Sequence, residues 1–253
     1  MSMLRRNFAQ IWTLLQQRPD PMKPIAVLLA TLAFAVSPFL NPEFGGFDPD
    51  RYPIPQNEPP VQPAGYAFAI WGVIYLWLIV HAVLGIWKYA TDPAWERTRW
   101  PLLVSLGVGM FWLPVALVSP IWATVMIWVM LAGAVLATIE ASKGGPKWAL
   151  QLPLGLYAGW LSAASFVSIG LLGAGYGVVF AEVGWAVTAL ALAVVFAVLC
   201  QSACTGTWSY GLAVAWGFAA IAVANLGSVP IVAGLAGVAA LLMLGLAARE
   251  IRR

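Results

Sequence analysis

The chain has 253 residues, of which 62% are hydrophobic and only 9% charged. Soluble domains carry about 25% charged residues, so this balance excludes an ordinary water-soluble domain and points to a membrane protein. The formal net charge of +3 calls for no nucleic-acid partner, because the distribution of basic residues across the membrane accounts for it.

In chain order, residues 4–18 come first. Leu4, Phe8, Ile11, Trp12 and Leu15 follow helical spacing among Arg5, Asn7, Gln10, Gln17 and Arg18. This predicts a short amphipathic helix on the cytoplasmic interface, within an N-terminal segment 1–23. The apolar stretch beyond Lys23 lacks a small-residue cleavage site, so no cleavable signal is expected.

A membrane span takes about 20 mostly apolar residues. Eight stretches qualify: 24–40, 64–89, 101–118, 121–141, 148–172, 183–203, 208–226 and 229–248. With all eight crossing and the N-terminus cytoplasmic, the inside receives every Lys and Arg except Arg51. The positive-inside rule favours this arrangement, with both termini cytoplasmic. The fold class expected is an all-α polytopic membrane protein.

The one long loop, residues 41–63, follows the first span. Pro42, Pro49, Pro53, Pro55, Pro59, Pro60 and Pro63 bar regular helix. With Phe44, Phe47 and Tyr52 they favour a stiff lid on the outer side. Glu43, Asp48, Asp50 and Glu58 make that lid acidic.

The second span opens with an aromatic series. Phe68, Trp71 and Tyr75 recur at three- and four-residue spacing and share one helix face. The third span carries Trp112. The fifth reads LYAGWLSAAS, with Tyr157 and Trp160 on one face. Facing one another in a bundle, such rings form walls for a flat, apolar, conjugated ligand. Trp and Tyr also collect at membrane interfaces. Trp87, Trp95, Trp100, Trp148 and Trp208, at span ends or in loops, are assigned to that belt.

Polar residues inside spans need a reason. His81, the chain's one histidine, has no companion ligand nearby and reads as a structural residue. Gln201 and Asn225 are expected to bond to neighbouring helices. Glu182 is expected to be solvated at the outer end of the sixth span. Gly155 and Gly159, a G-x-x-x-G pair around Tyr157, allow close approach of another helix of the same bundle. Cys200 and Cys204 read as buried small residues, without the further ligands a metal would need. No carboxylate pair, phosphate loop or metal cluster is legible, so no catalytic residue is assigned.

Two motifs carry a family resemblance. Gly65-Tyr66-x-Phe68-x-x-Trp71-x-x-x-Tyr75 follows a Pro-rich approach to the second span, and Tyr157-x-x-Trp160 is followed by small residues with Ala164 in step. Together, in this order, they resemble the TspO/MBR family, the tryptophan-rich sensory proteins related to the mitochondrial translocator protein. Leu156 stands where that family usually has Pro. Its closing Asn of the fifth helix is replaced near Ser168, and the Asn usually one turn before Trp112 is missing. The resemblance covers residues 24–172, and the three spans within 173–253 lie outside it.

The resemblance implies a TspO-like five-helix bundle extended by three transmembrane helices. It implies a multi-pass protein of the bacterial inner membrane, in contact with lipid. Its ligand would be a porphyrin, another tetrapyrrole or a haem-like lipophilic molecule, bound for sensing, sequestration or transfer, with no resident cofactor or metal required. The site residues carried over are Phe68, Trp71, Tyr75, Trp112, Tyr157 and Trp160. If porphyrin is broken down, Trp71 and Trp160 are the oxidisable indoles against it. The alternative is a structural or regulatory subunit. It would dock, as a homodimer or in a larger membrane complex, through the small-residue face Gly211, Ala215, Ala219 and Ala222.

Overall fold

The computed structural model describes residues 22–41 and 44–252, so the amphipathic stretch expected over residues 4–18 lies outside it. Among the described residues there are eight α-helices and no strand. They are α1 (Met22–Val36), α2 (Ile70–Trp87), α3 (Pro93–Ala116), α4 (Pro120–Ser142), α5 (Leu152–Gly175), α6 (Glu182–Ala203), α7 (Trp208–Ala224) and α8 (Pro230–Ile251). Seven are long and apolar enough to cross a membrane, the 15-residue α1 once its 3-10 extension Ser37–Phe39 is counted; α7, with 17 residues and no such extension, falls short. At 1.5 Å per residue it reaches about 26 Å, slightly under the bilayer core. It lies against α5 on one side and α8 on the other, so protein covers much of its surface.

Local chemistry explains the shifted helix starts. The third helix begins at Pro93, well before the apolar run opens at Pro101. Asp92 caps it by accepting from the Ala94 and Trp95 N–H groups, and Pro93 needs no partner in the first turn. The added turns carry their charges in pairs: Glu96 accepts from Arg99 at 2.6 Å and is bridged by Lys23. Arg99 also donates to the carbonyls of Tyr89 and Ala90. The α3–α4 connection is short, with Ser119 as N-cap and Pro120 at the first turn of α4. A single π-helical turn, Lys147–Gln151, leads into α5.

Almost every residue of α5 is buried, and α4, α6 and α7 surround it. Gly155 and Gly159 face α7: a methyl group on either would collide with Thr207 and Ser209, or with the Tyr210 carbonyl. The last three helices therefore share one apolar core with the first five, running from Val27 to Met243. This corrects the docking surface expected on α7. Gly211 and Ala215 are buried, and Ala219 and Ala222 are half-buried. Gly211 packs against Gln201 and the Met243 backbone. Its lack of a side chain serves helix packing inside the chain.

At the basic end of the bundle, Trp95 departs from the interfacial belt. Its side chain is 1% exposed, whereas Trp87 is 83% exposed. The indole lies parallel to the rings of His81 and Tyr89, at 5.4 and 4.1 Å between centroids. Gly85 leaves the space, since a Cβ there would stand 2.9 Å from Trp95 Nε1. His81 is structural, with Nδ1 2.9 Å from the Ala149 carbonyl oxygen. Trp100 and Trp148 are exposed and Trp208 is half-buried, as interfacial rings require.

At the opposite end the Pro-rich loop is tied down. Ile54 N–H donates to the Gly175 carbonyl and Ala64 N–H to that of Ala220. Asn225 donates to the Pro60 carbonyl at 2.8 Å, so it fastens the loop rather than a neighbouring helix. Tyr52 and Val61 are buried against glycines of α5. Burial, with the Tyr176 phenol nearby, pushes the Tyr52 hydroxyl well above its ordinary pKa. One 3-10 turn, Pro49–Arg51, interrupts the extended loop.

Candidate functional site

Beneath this loop, α1, α2 and α3 diverge and leave a chamber of about 400 Å³. Its walls are Phe34 of α1, Phe68, Trp71 and Tyr75 at the start of α2, and Gly109 and Trp112 of α3. Ser37, Pro38 and Asn41 form its rim, with Phe44 of the loop beside them. A narrower chamber of about 50 Å³ lies further in, toward α5 and α7. Phe44, Phe68 and Trp112 border both chambers and so form the partition between them.

The geometry of this wall begins with how α2 starts. Residues Gly65–Ala69 make a 3-10 turn before the α-helix. In a 3-10 turn residues three apart eclipse one another, so Phe68 stays on the side of Trp71. Trp71 and Tyr75 then stack, 5.2 Å apart at 18°. Across the bundle Trp160 meets Trp71 edge to face at 6.3 Å and 85°, and Phe68 at 6.0 Å and 82°. Phe44 stands edge-on to Trp112 at 5.2 Å and to Phe68 at 6.2 Å. Edge-to-face contact is a favoured arrangement of aromatic pairs, so these rings support one another's orientation.

The six residues expected at the site divide into layers. Trp71 and Tyr75 line the outer chamber, Trp160 lines the inner one, and Phe68 and Trp112 line both. Tyr157 lines neither. It is fully buried one layer back, its hydroxyl 2.9 Å from Ser105 Oγ and its ring 5.8 Å from Phe34. Phe34 takes the place that the helical spacing gave to Tyr157, because Gly109 lets it in: a Cβ there would stand 2.9 Å from the Phe34 ring.

Few hydrogen-bonding groups reach the chambers. Trp112 Nε1 is committed to the Ala123 carbonyl at 2.9 Å. Ser168 Oγ, on the inner wall, donates back to the Ala164 carbonyl at 2.9 Å. Asn41 Nδ2 donates to the Ser37 carbonyl. Two of the groups there, Trp160 Nε1 and Ser37 Oγ, are fully buried without a partner among the described residues. A buried polar group without a partner costs stability, so each is a place for a ligand's hydrogen bond.

The rings of the two sequence motifs thus meet, with Trp71 and Trp160 edge to face, but they border two chambers rather than one cavity. The sequence pattern of TSPO-like proteins matches residues 25–249. The chain belongs to the TSPO-like protein family. The match runs past residue 172 and through α6, α7 and α8, beyond the part in which motifs are legible by eye. No curated protein and no solved structure matches the chain.

Membership puts the departures from the TspO/MBR pattern in context. Leu156, in the place of the usual Pro, is buried near the start of α5, where Pro153 already occupies the first turn. Ser168, near the usual Asn, spends its hydroxyl on its own helix. The second change makes the α5 wall less polar, since Ser168 lines the inner chamber and Leu156 lines neither. Phe34, Ser37, Asn41 and Gln62 join the site without a sequence signal of their own, and Phe44 joins it from the expected lid. Gly109, one turn before Trp112, was the one available hint that another helix comes close there.

Proposed function

We propose that the chain binds flat, largely apolar, conjugated molecules within the membrane and senses, sequesters or hands them on. Tetrapyrroles are the class that the family resemblance brings forward. The observation that supports this most is the wall of Phe68, Trp71, Tyr75 and Trp112 around a 400 Å³ opening, with Trp160 in the layer behind. Ligand chambers are commonly about 300–1,000 Å³, mostly apolar, with a few placed polar groups. The outer chamber fits that description before any rearrangement.

The test is a porphyrin titration of the full chain in lipid nanodiscs, followed by Trp fluorescence. Stacking on one ring contributes about 0.5–1.5 kcal/mol beyond area burial. Trp71→Ala should therefore weaken saturable quenching by up to about tenfold, and Trp71→Ala with Trp160→Ala by more. Trp87→Ala, at the far end of α2, should leave the affinity as it was. Unchanged affinity in the double variant would remove the chamber from the reading.

A further inference from the structure

Every described residue lining the two chambers is uncharged. The hydrogen-bonding functions there are the Ser37 and Tyr75 hydroxyls, the Asn41 and Gln62 amides, the Ser168 hydroxyl and the indoles. Those fully buried without a partner, Ser37 Oγ and Trp160 Nε1, are neutral as well. Above the chambers the described part of the loop carries Asp48, Asp50 and Glu58 against the single cation Arg51. Arg51 is already 3.5 Å from Asp48. The other described Lys and Arg residues lie at the opposite, basic end, many of them in pairs such as Lys23–Glu96, Arg97–Glu140 and Lys143–Glu140.

An ionised carboxylate entering this space would lose its hydration and find no cation among the described residues in return. If it stayed at the mouth, it would face a loop of its own sign. We infer that the chambers select an uncharged ligand: a flat conjugated molecule whose polar groups are neutral hydrogen-bonding functions rather than free carboxylates. This rests on the proposed ligand-binding reading and narrows its ligand class. Ordinary porphyrins with free propionates are then poor ligands, and their esterified or otherwise neutral counterparts are good ones. Within such a ligand, an acceptor such as a carbonyl is placed for Trp160 Nε1, and a neutral polar group for Ser37.

Two porphyrins with the same ring decide this. Protoporphyrin and its dimethyl ester would be titrated against the full chain in phosphatidylcholine nanodiscs. Empty nanodiscs and the Trp71→Ala chain would define the site-specific signal. The ester should bind at least about tenfold more tightly, a difference of about 1.4 kcal/mol. Asn41→Lys, which places a cation at the rim, should move the preference toward the diacid by about tenfold or more. A diacid that binds the parent chain as tightly as the ester, with both weakened in Trp71→Ala, would overturn the charge selection and leave the binding reading standing. An Asn41→Lys chain of parental stability with an unmoved ratio would also overturn it. Saturable binding of neither porphyrin would defeat the binding reading itself, and the selection with it.

Discussion

The carbonyl oxygen of Tyr210 lies so close to the α-carbon of Gly159 that a methyl group there would collide with it. This contact joins α5, which carries the Trp160 wall, to α7, one of the three helices beyond the legible motifs. The obstacle is backbone, which cannot rotate away as a side chain could. Gly159→Val should therefore lower the stability of the detergent-solubilised chain by at least about 1–3 kcal/mol. Gly107→Ala, where nothing stands within 4 Å, should cost nothing and gain up to about 1 kcal/mol of helix propensity. Thermal or denaturant unfolding of the two variants side by side would show it. A Gly159→Val chain as stable as its parent would mean that α5 and α7 are not packed this way.

Phe44 is the one part of the partition that comes from outside the helices, whereas Phe68 and Trp112 stand at helix positions. Its ring rests edge-on against Phe47, Phe68 and Trp112. A ligand larger than the outer chamber has to displace it to reach Trp160. Binding that requires such a change is slowed below the encounter rate. Phe44→Ala should let a neutral porphyrin associate about threefold faster or more in stopped-flow quenching. Phe39→Ala, exposed outside both chambers, should leave the rate as it is. Equal rates for Phe44→Ala and the parent would put the ring outside the ligand's path.

How far the sequence could be read follows the range of the forces involved. The spans were legible because each must satisfy the bilayer within its own residues. The stacked Trp71 and Tyr75 were legible because four-residue spacing alone puts them on one face. Tyr157 and Phe34 were not, because what decides their layers is a gap at Gly109 on a third helix. Trp95 shows the same limit. It lies among Asp92, Glu96, Arg97 and Arg99 at a span end, much as Trp100 does, and only the space over Gly85 draws it inward.

That difference is measurable. Trp95 fills a fully buried position between three elements and stacks on two rings. Trp95→Ala should cost about 3–5 kcal/mol of stability, as large-to-small changes in cores do. Trp87→Ala, exposed at the end of α2, should cost under about 0.5 kcal/mol. Ligand affinity of whatever Trp95→Ala chain folds should match the parent's, since Trp95 lines neither chamber. A Trp95→Ala chain that melts with its parent would return this residue to the interfacial belt.

The orientation of the bundle can be tested without first removing the native cysteines. Cys200 and Cys204 are both free and buried. Burial, with Cys200 beside it, pushes the Cys204 thiol up to about 12. The thiolate is the reacting form, so at about pH 7.5 Cys204 is nearly inert, and burial shields Cys200 from reagent. The parent chain should therefore give little maleimide signal until it is unfolded. Against that low background, a cysteine at Asp48 in the loop should be modified by an impermeant maleimide applied from outside intact cells. A cysteine at Lys143 or Arg252 should be modified only after the cells are opened, because the helices alternate and the basic ends share one side. The pair Asp48 and Arg252 is the decisive one. They are separated by an odd number of the crossings α2 to α8, seven in all. Modification of both from outside would mean that one helix, with α7 at 17 residues the first to suspect, does not cross.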